Sequence, residues 1–366
     1  MTLPPELLEI IFLRLPVRSL IQFKCVCKQW RSLISDPYFA KLHYDVAIAP
    51  THNNNTKLLY LSSDFSRACC VKTEPSIHHD YPFKLQETYK NHSLRIIGSC
   101  RGFVLLRNYK PKPVLILWNP ATGSHVRVPY PNNSSNSEFP CPDFFCHGVV
   151  YEKSNDDYLV IMGSVRPLKR KPEWKFFSVR SNSWKEIEGG DCFTPNISMG
   201  HQLGLLYNEA IHWLAVYNGS DYPRGIVIVA FDIATKTLSM IPLPYPQDPS
   251  QWELSLVGGA GFFGICMLNE FWPYIFVMKE YKVESSWILI DMLLPSDNTM
   301  IPLCFTQSGD VVWMNRINKD LIKFGKLGSN EEELQEFKLD FCDKDTVLVM
   351  FNESLLSLPS SCRQEE

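Results

Sequence analysis

The 366-residue sequence predicts an α+β multidomain chain: a small three-helix module over residues 1–45, an all-β domain of propeller type over 46–360, and a polar tail over 361–366. Two observations carry that division. Apolar residues follow a helical period before about residue 45 and fall into short alternating runs after it. Beyond the change a strand–turn–strand unit recurs, with anchors Tyr60, Trp118, Phe177, Phe231, Met278 and Phe324 lying 46 to 59 residues apart.

The helical elements come first. Pro4 and Pro5 suit a first helical turn, where a missing N–H leaves nothing unsatisfied. Leu7, Leu8, Ile11, Phe12 and Leu15 then follow helical spacing up to Pro16. A second segment over Val17 to Val26 carries Leu20, Ile21 and Phe23 on its apolar side. A third, from about Cys27 to Ile34, spaces Trp30, Leu33 and Ile34 by three and four residues. At Ser35-Asp36-Pro37 the helix stops and restarts, with Asp36 as cap and Pro37 at the first helical position. Three short helices cannot bury this much Leu, Ile, Phe and Trp among themselves. The surplus either meets a partner or docks on the domain that follows; periodicity alone does not choose.

The β-elements follow. Apolar strand, polar turn and second strand recur at Val114–Val128, Trp174–Ile187, Ile226–Ile241 and Tyr274–Ile290, more weakly at Leu321–Phe337, with Leu58–Lys72 as the candidate sixth. Between them lie inner-strand candidates Ile97–Arg107, His147–Tyr151 with Tyr158–Gly163, Leu203–Val216, Leu256–Leu268 and Pro302–Met314. The run Thr346–Phe351 is placed to return and complete the first unit. About four strands per unit at this period is the signature of a β-propeller, here of six blades. An array of β-sandwiches is the other architecture such a pattern allows.

Composition narrows the function classes. Hydrophobic residues make up 45% and charged residues 20%, as in soluble globular proteins, and the net charge of -3 argues against a general nucleic-acid or membrane-surface binder. Twelve cysteines are scattered without a CxxC pair. They read as reduced thiols, not a disulfide frame or zinc site. The start lacks a charged-then-apolar leader, since Leu7 to Leu15 contains Glu9 and Arg14 and stops at Pro16. Asn91-His92-Ser93 and Asn196-Ile197-Ser198 are then chance matches to the glycosylation triplet. Cytoplasmic and/or nuclear placement is expected, with no cofactor and no metal.

Three segments invite a functional reading. His212-Trp213 reads as a packed inner-strand pair in preference to a binding-face pair. Arg166-Pro167-Leu168-Lys169-Arg170-Lys171-Pro172 reads first as a solvated loop; Arg166, Lys169, Arg170 and Lys171 are nonetheless the best candidates for contact with an acidic target. Gly258-Gly259-Ala260-Gly261-Phe262-Phe263-Gly264 lacks the Lys-Ser/Thr of a phosphate loop and reads as a tight turn entering a strand. No nucleophile elbow, HExxH or paired-carboxylate motif is present.

Two stretches resemble known families. Leu3-Pro4-Pro5-Glu6-Leu7, Ile10 through Leu20 and Phe23 through Phe39 closely resemble the F-box motif, above all that of plant F-box proteins. The resemblance implies docking on the Skp adaptor of a Skp–cullin–F-box ubiquitin ligase. By position, the contacts would be Leu3, Pro4, Leu7, Ile11, Leu15, Pro16, Leu20, Val26, Cys27 and Trp30. Six basic against four acidic residues in this segment would suit an acidic adaptor. Gly98-Ser99-Cys100-Arg101-Gly102, Leu117 through Gly123, Val179 through Lys185, Ala210-Ile211-His212-Trp213-Leu214-Ala215 and Val277 through Tyr281 resemble the plant F-box-associated interaction domain of type 1, a kelch-like β-propeller. That family has a small residue such as Asn where Arg101 stands, and Gly where Glu209 stands. The resemblance implies a non-catalytic receptor subunit that recruits a target protein for ubiquitination. A propeller enzyme or carbohydrate-binding protein, with the helices only packing, is the other reading.

Overall fold

The computed structural model describes residues 4–48, 57–62, 67–72, 78–82, 94–108, 114–131, 144–165, 172–195, 202–220, 225–244, 252–259, 261–268, 273–290, 300–306, 310–315, 317, 320–326, 334–339 and 346–359. They divide into two compact units, Met1–Pro129 with Thr346–Glu366, and Tyr130–Asp345.

The first unit begins with four helices, not three: α1 Pro5–Leu13, α2 Val17–Phe23, α3 Lys28–Ile34 and α4 Pro37–Ala47. The additional helix is the restart at Asp36-Pro37. The Asp36 carboxylate accepts from the Tyr38 N–H at 2.7 Å, and Pro37 opens the helix. An aromatic triad centres the bundle, with Phe12 5.0 Å from Trp30 and 5.9 Å from Phe23 between ring centroids.

Two four-stranded antiparallel sheets complete this unit. In sheet 1, strands Lys57–Leu61, Arg67–Lys72 and His78–Pro82 are joined by Val349–Phe351, which pairs with the first of them as Leu59 opposite Val349. The expected return of the C-terminal run therefore completes sheet 1. Sheet 2 is the meander Arg95–Cys100, Phe103–Asn108, Val114–Trp118 and His125–Val128. The sequence read Ile97–Arg107 as one inner run; it folds as a hairpin whose turn is Arg101 (φ 50°) and Gly102 (φ 81°). Two positive φ values make the tight turn that matches strand twist. A Cβ at Gly102 would lie 2.1 Å from the Ser354 hydroxyl oxygen, so glycine is also required by space.

The second unit holds four sheets. Sheet 3 contains Phe144–Glu152, Asp157–Val165, Pro172–Ser178 and Ser183–Glu186, with Gln202–Leu203 added in parallel. Sheet 4 contains Phe193–Pro195, Leu205–Tyr207, Ala210–Tyr217, Gly225–Asp232 and Leu238–Ile241. Sheet 5 is Glu253–Gly259, Phe262–Leu268, Pro273–Met278 and Trp287–Ile290. Sheet 6 is Met300–Phe305, Asp310–Asn315, Leu321–Lys326 and Gln335–Lys338. Up-and-down four-stranded sheets are the unit of propeller architecture. Consecutive sheets share apolar cores: Trp174, Ile211, Trp213 and Phe231 fill one, Leu214, Ile228, Phe263 and Met278 the next, and Val257, Val277, Phe305 and Trp313 the third. Gly258 and Gly259 end a strand and Gly261 (φ 85°) precedes the next, as the turn reading expected.

The repeat is visible atom by atom in its turns. Asn119 Oδ1 accepts from the N–H groups of Ala121 and Thr122, and the Asn119 N–H donates to Ser124 O. Asp232 Oδ1 accepts from Ala234 and Thr235, and the Asp232 N–H donates to Thr237 O. The fifth position is left-handed in both, Gly123 at φ 78° and Lys236 at φ 61°. Both departures from the family pattern also fall at left-handed positions, Arg101 and Glu209 (φ 57°). Those are where Asn and Gly sit most easily.

Candidate functional site

The candidate site is the outer face of α1 with the turn before α3. Along α1, Leu8 and Phe12 point inward at 7% and 2% exposure, while Leu7, Ile10 and Ile11 stand 49%, 51% and 46% exposed. Spacings of three and four residues put Leu7, Ile10 and Ile11 on one face. Val26, in the turn between α2 and α3, is 60% exposed. Cys27 is exposed too and caps α3, its Sγ accepting from the Trp30 N–H at 3.4 Å. Large aliphatic side chains this exposed on so small a helical unit mark an interaction face.

The contacts expected from the F-box resemblance sort by this geometry. Pro4, Leu7, Ile11, Pro16, Val26 and Cys27 are exposed, and Leu15 and Trp30 are half-buried. Leu20 is the correction: at 0% exposure it is core of the helical bundle and presents no surface to a partner. Leu3 lies outside the described residues, as do Arg166, Lys169, Arg170, Lys171 and the 361–366 tail. Ile10 was missed, although its spacing from Leu7 places it on the same stripe. Tyr38, at the start of α4, is also open, at 72% exposure.

The opposite side of the bundle docks inward, through α4. Phe39, Ala40, His43 and Tyr44 are buried. The Arg101 guanidinium lies over the Tyr44 ring, 4.6 Å from its centroid, and 3.9 Å from the Asp45 carboxylate. The cation–π contact is the stronger of the two, because Asp45 is largely solvated. Asn352 hydrogen-bonds the Tyr44 phenol, and burial holds that phenol far above its usual range, so it stays neutral. His43 Nε2 donates to Leu15 O at 2.8 Å, and burial lowers the ring's pKa. The C-terminal segment adds a buried ion pair, Lys57 Nζ to Glu353 at 2.8 Å. The apolar surplus is thus divided, one face of the module packed and the other left open.

Within the second unit, His212 and Trp213 are fully buried and partnered. Trp213 Nε1 donates to His147 O at 3.0 Å. His212 Nδ1 lies 3.0 Å from Leu205 O, which only accepts, so Nδ1 carries the proton and Nε2 accepts from the Tyr281 hydroxyl at 2.8 Å. The pair is a packed inner-strand feature, as the sequence reading preferred. Burial pushes the Cys266 and Cys304 thiols up to about 12, which leaves them poor nucleophiles and ligands.

Two family models match the chain: an F-box domain over residues 1–42 and an F-box associated β-propeller domain over residues 52–353. The chain is 28% identical over 301 residues to an F-box/kelch-repeat protein of Arabidopsis thaliana, covering 78% of each chain. It is 26% identical over 330 residues to an F-box protein of the same plant, covering 85% of each. Against the F-box protein CPR1 of Arabidopsis thaliana it is 23% identical over 360 residues, covering 88% of this chain and 82% of that one.

Proposed function

The chain belongs to the F-box proteins that carry an F-box associated β-propeller domain, and on that premise we propose that it is the target-recognition subunit of a Skp–cullin–F-box ubiquitin ligase. The observation that carries the proposal is the open apolar stripe of Leu7, Ile10 and Ile11 on α1, with Val26 beside the α3 cap, inside the F-box match. Skp-family adaptor binds this face, and cullin is reached through the adaptor. The propeller holds a target protein. Its six blades, one per sheet, are part of the proposal. For a target with an acidic surface, the proposed contact is Arg166, Lys169, Arg170 and Lys171.

The mechanism is proximity. The receptor makes and breaks no bonds; it raises the local concentration of target lysines near a loaded conjugating enzyme. Cytoplasmic and/or nuclear placement belongs to the same reading.

Adaptor pull-down with the full chain tests it. The double variant Leu7→Asp with Ile11→Asp should lose about 30-fold or more in affinity, as hot-spot truncations do. Its melting temperature should hold, since both side chains are half-exposed. Wild-type chain that captures no adaptor at micromolar concentration overturns the proposal. Affinity purification with that double variant then traps targets without delivering them to the ligase.

A further inference from the structure

We propose that the outer edge of sheet 5, strand Trp287–Ile290, is a docking edge where an extended apolar segment of a target protein adds as a further strand. The inference deepens the target-recognition reading and rests on it.

The outer strands of the sheets differ in how their edges are protected. Edge strands expose unpaired N–H and C=O groups, and proteins commonly blunt them with charge. His125–Val128 of sheet 2 exposes His125 and Arg127. Ser183–Glu186 of sheet 3 exposes Lys185 and Glu186. Gln335–Lys338 of sheet 6 exposes Gln335, Glu336 and Lys338. Leu238–Ile241 of sheet 4 has no charge but is at most half exposed, and Lys282 Nζ donates to its Ser239 hydroxyl at 2.9 Å. Trp287–Ile290 has neither device. Its residues are Trp, Ile, Leu and Ile, and Ile288 and Leu289 stand 37% and 51% exposed. The strand it pairs with, Pro273–Met278, also carries no charge. Among the described residues, no strand pairs with its outer side.

Exposed apolar residues concentrate here. Of the seven large hydrophobic residues exposed among the described residues of the second unit, four (Tyr274, Val283, Ile288 and Leu289) belong to this one hairpin, while Leu206, Phe262 and Ile317 stand elsewhere. Alternation assigns the strand's two faces. Trp287 packs into the core shared with sheet 4, and Leu289 lies on the same face. Ile290 packs against the core shared with sheet 6, and Ile288 lies on that face. Each inter-sheet core therefore ends at the rim in one uncovered aliphatic side chain. An added strand would extend both cores at once. Its own residues must then be apolar on both faces, so the occupant is an uncharged run in extended conformation.

A second copy of this chain fits less well. Four residues give about 13 Å of edge. Two such edges alone fall far short of the ~1,200 Å² that stable specific interfaces bury. A flexible segment needs no large interface, because main-chain hydrogen bonds supply affinity and alternate side chains supply selectivity.

The test selects displayed random ten-residue peptides on the full-length chain. Enriched peptides should carry four or more consecutive uncharged β-branched or aromatic residues. Their affinity should fall at least tenfold on Ile288→Lys and on Leu289→Lys. Methylating alternate backbone amides of a selected peptide should abolish binding with its side chains intact. Failure to enrich any peptide, binders indifferent to both substitutions, or full binding by the methylated peptides overturns the proposal. So does a wild-type dimer at micromolar concentration that Leu289→Lys makes monomeric, because the occupant is then a second copy. If either Lys variant melts early, Ile288→Thr and Leu289→Thr replace them, since they keep strand propensity. Adaptor pull-down on the same variants should be unchanged, which separates failure of this edge from failure of the adaptor-binding proposal.

Discussion

The turns at Asn119–Ser124 and Asp232–Thr237 share one hydrogen-bond frame, yet they serve their units differently. In the second unit Asp232 stays local: its carboxylate oxygen caps its own turn, and the hairpin's packing does the rest. In the first unit Asn119 caps its turn with Oδ1 and also reaches out with Nδ2, donating to Ser354 O at 3.1 Å, Ser354 Oγ at 3.3 Å and Leu356 O at 3.1 Å. Ser99 donates to Met350 O, Ser354 donates to Arg101 O, and Lys57 pairs with Glu353. The second unit is held by cores between consecutive sheets; the first is clasped by residues more than 230 positions away in sequence. One polar atom of difference, amide for carboxylate, marks which turn must grip a distant segment.

The strongest way to break this contrast is to remove the clasp. Deleting residues 349–366 takes away a strand of sheet 1, the Asn119 contacts and the partner of buried Lys57. Leaving one charge of a buried pair alone costs about 3–5 kcal/mol by itself. Hydrogen exchange should speed up in Lys57–Leu61 and Phe103–Asn108 while Asp157–Val165 keeps its protection. Retained protection in the first two strands would sink the clasp interpretation.

Acid should weaken both units through their buried histidines, His43 in the first and His212 in the second, and His212 carries the large shift. His212 has its pKa lowered to about 4, mainly by burial. An unfolded histidine titrates near 6.5. The unfolded state therefore binds more protons below that pH, and stability falls as pH drops from about 6.5 toward 4, by roughly 3 kcal/mol. Protonation also ends the acceptance by Nε2 from Tyr281. Urea melts at pH 7 and pH 4.5, with exchange read in Ala210–Tyr217, check the sign; His212→Gln should flatten the dependence.

The reciprocal turn exchange sharpens the comparison further. Asn119→Asp keeps the turn acceptor but sets a carboxylate against two carbonyl oxygens, at a cost of about 2–3 kcal/mol. Asp232→Asn should move stability by about 0.5 kcal/mol or less, because Asp232 is only partly buried and its Oδ1 acceptor is kept. Equal losses from the two would erase the distinction. An effect of opposite sign is expected at the left-handed Glu209, where Glu209→Gly should raise stability by about 1 kcal/mol in denaturant titration.

The helices and repeat units were legible because period and punctuation are local. Asp36-Pro37 announced α4 through its cap, although the module was still counted as three helices. Val114–Trp118 and Ile226–Phe231 stood out because buried strands run nearly without polar residues. Other features depend on distance in space. Burial of Leu20 follows from which face of α2 turns into the bundle, and helical spacing is the same for packed and open stripes. Nothing local distinguishes Asn119 from Asp232 until Ser354 and Leu356 arrive beside one of them. Arg101 looked like a departure from a family pattern; its role over the Tyr44 ring depends on a helix more than fifty residues earlier.

The pairing of Leu59 with Val349 also sets a timetable for synthesis. The first strand of sheet 1 leaves the ribosome about 290 residues before the strand that covers its edge. At 5–20 residues per second, that edge stays bare for roughly 15–60 s. During that interval the nascent chain exposes both the open apolar stripe of α1 and an open β-edge, the kind of surface that chaperones hold. A premature stop anywhere before residue 349 would leave the edge bare for good, so even a short C-terminal truncation should yield a chain that is made but does not accumulate.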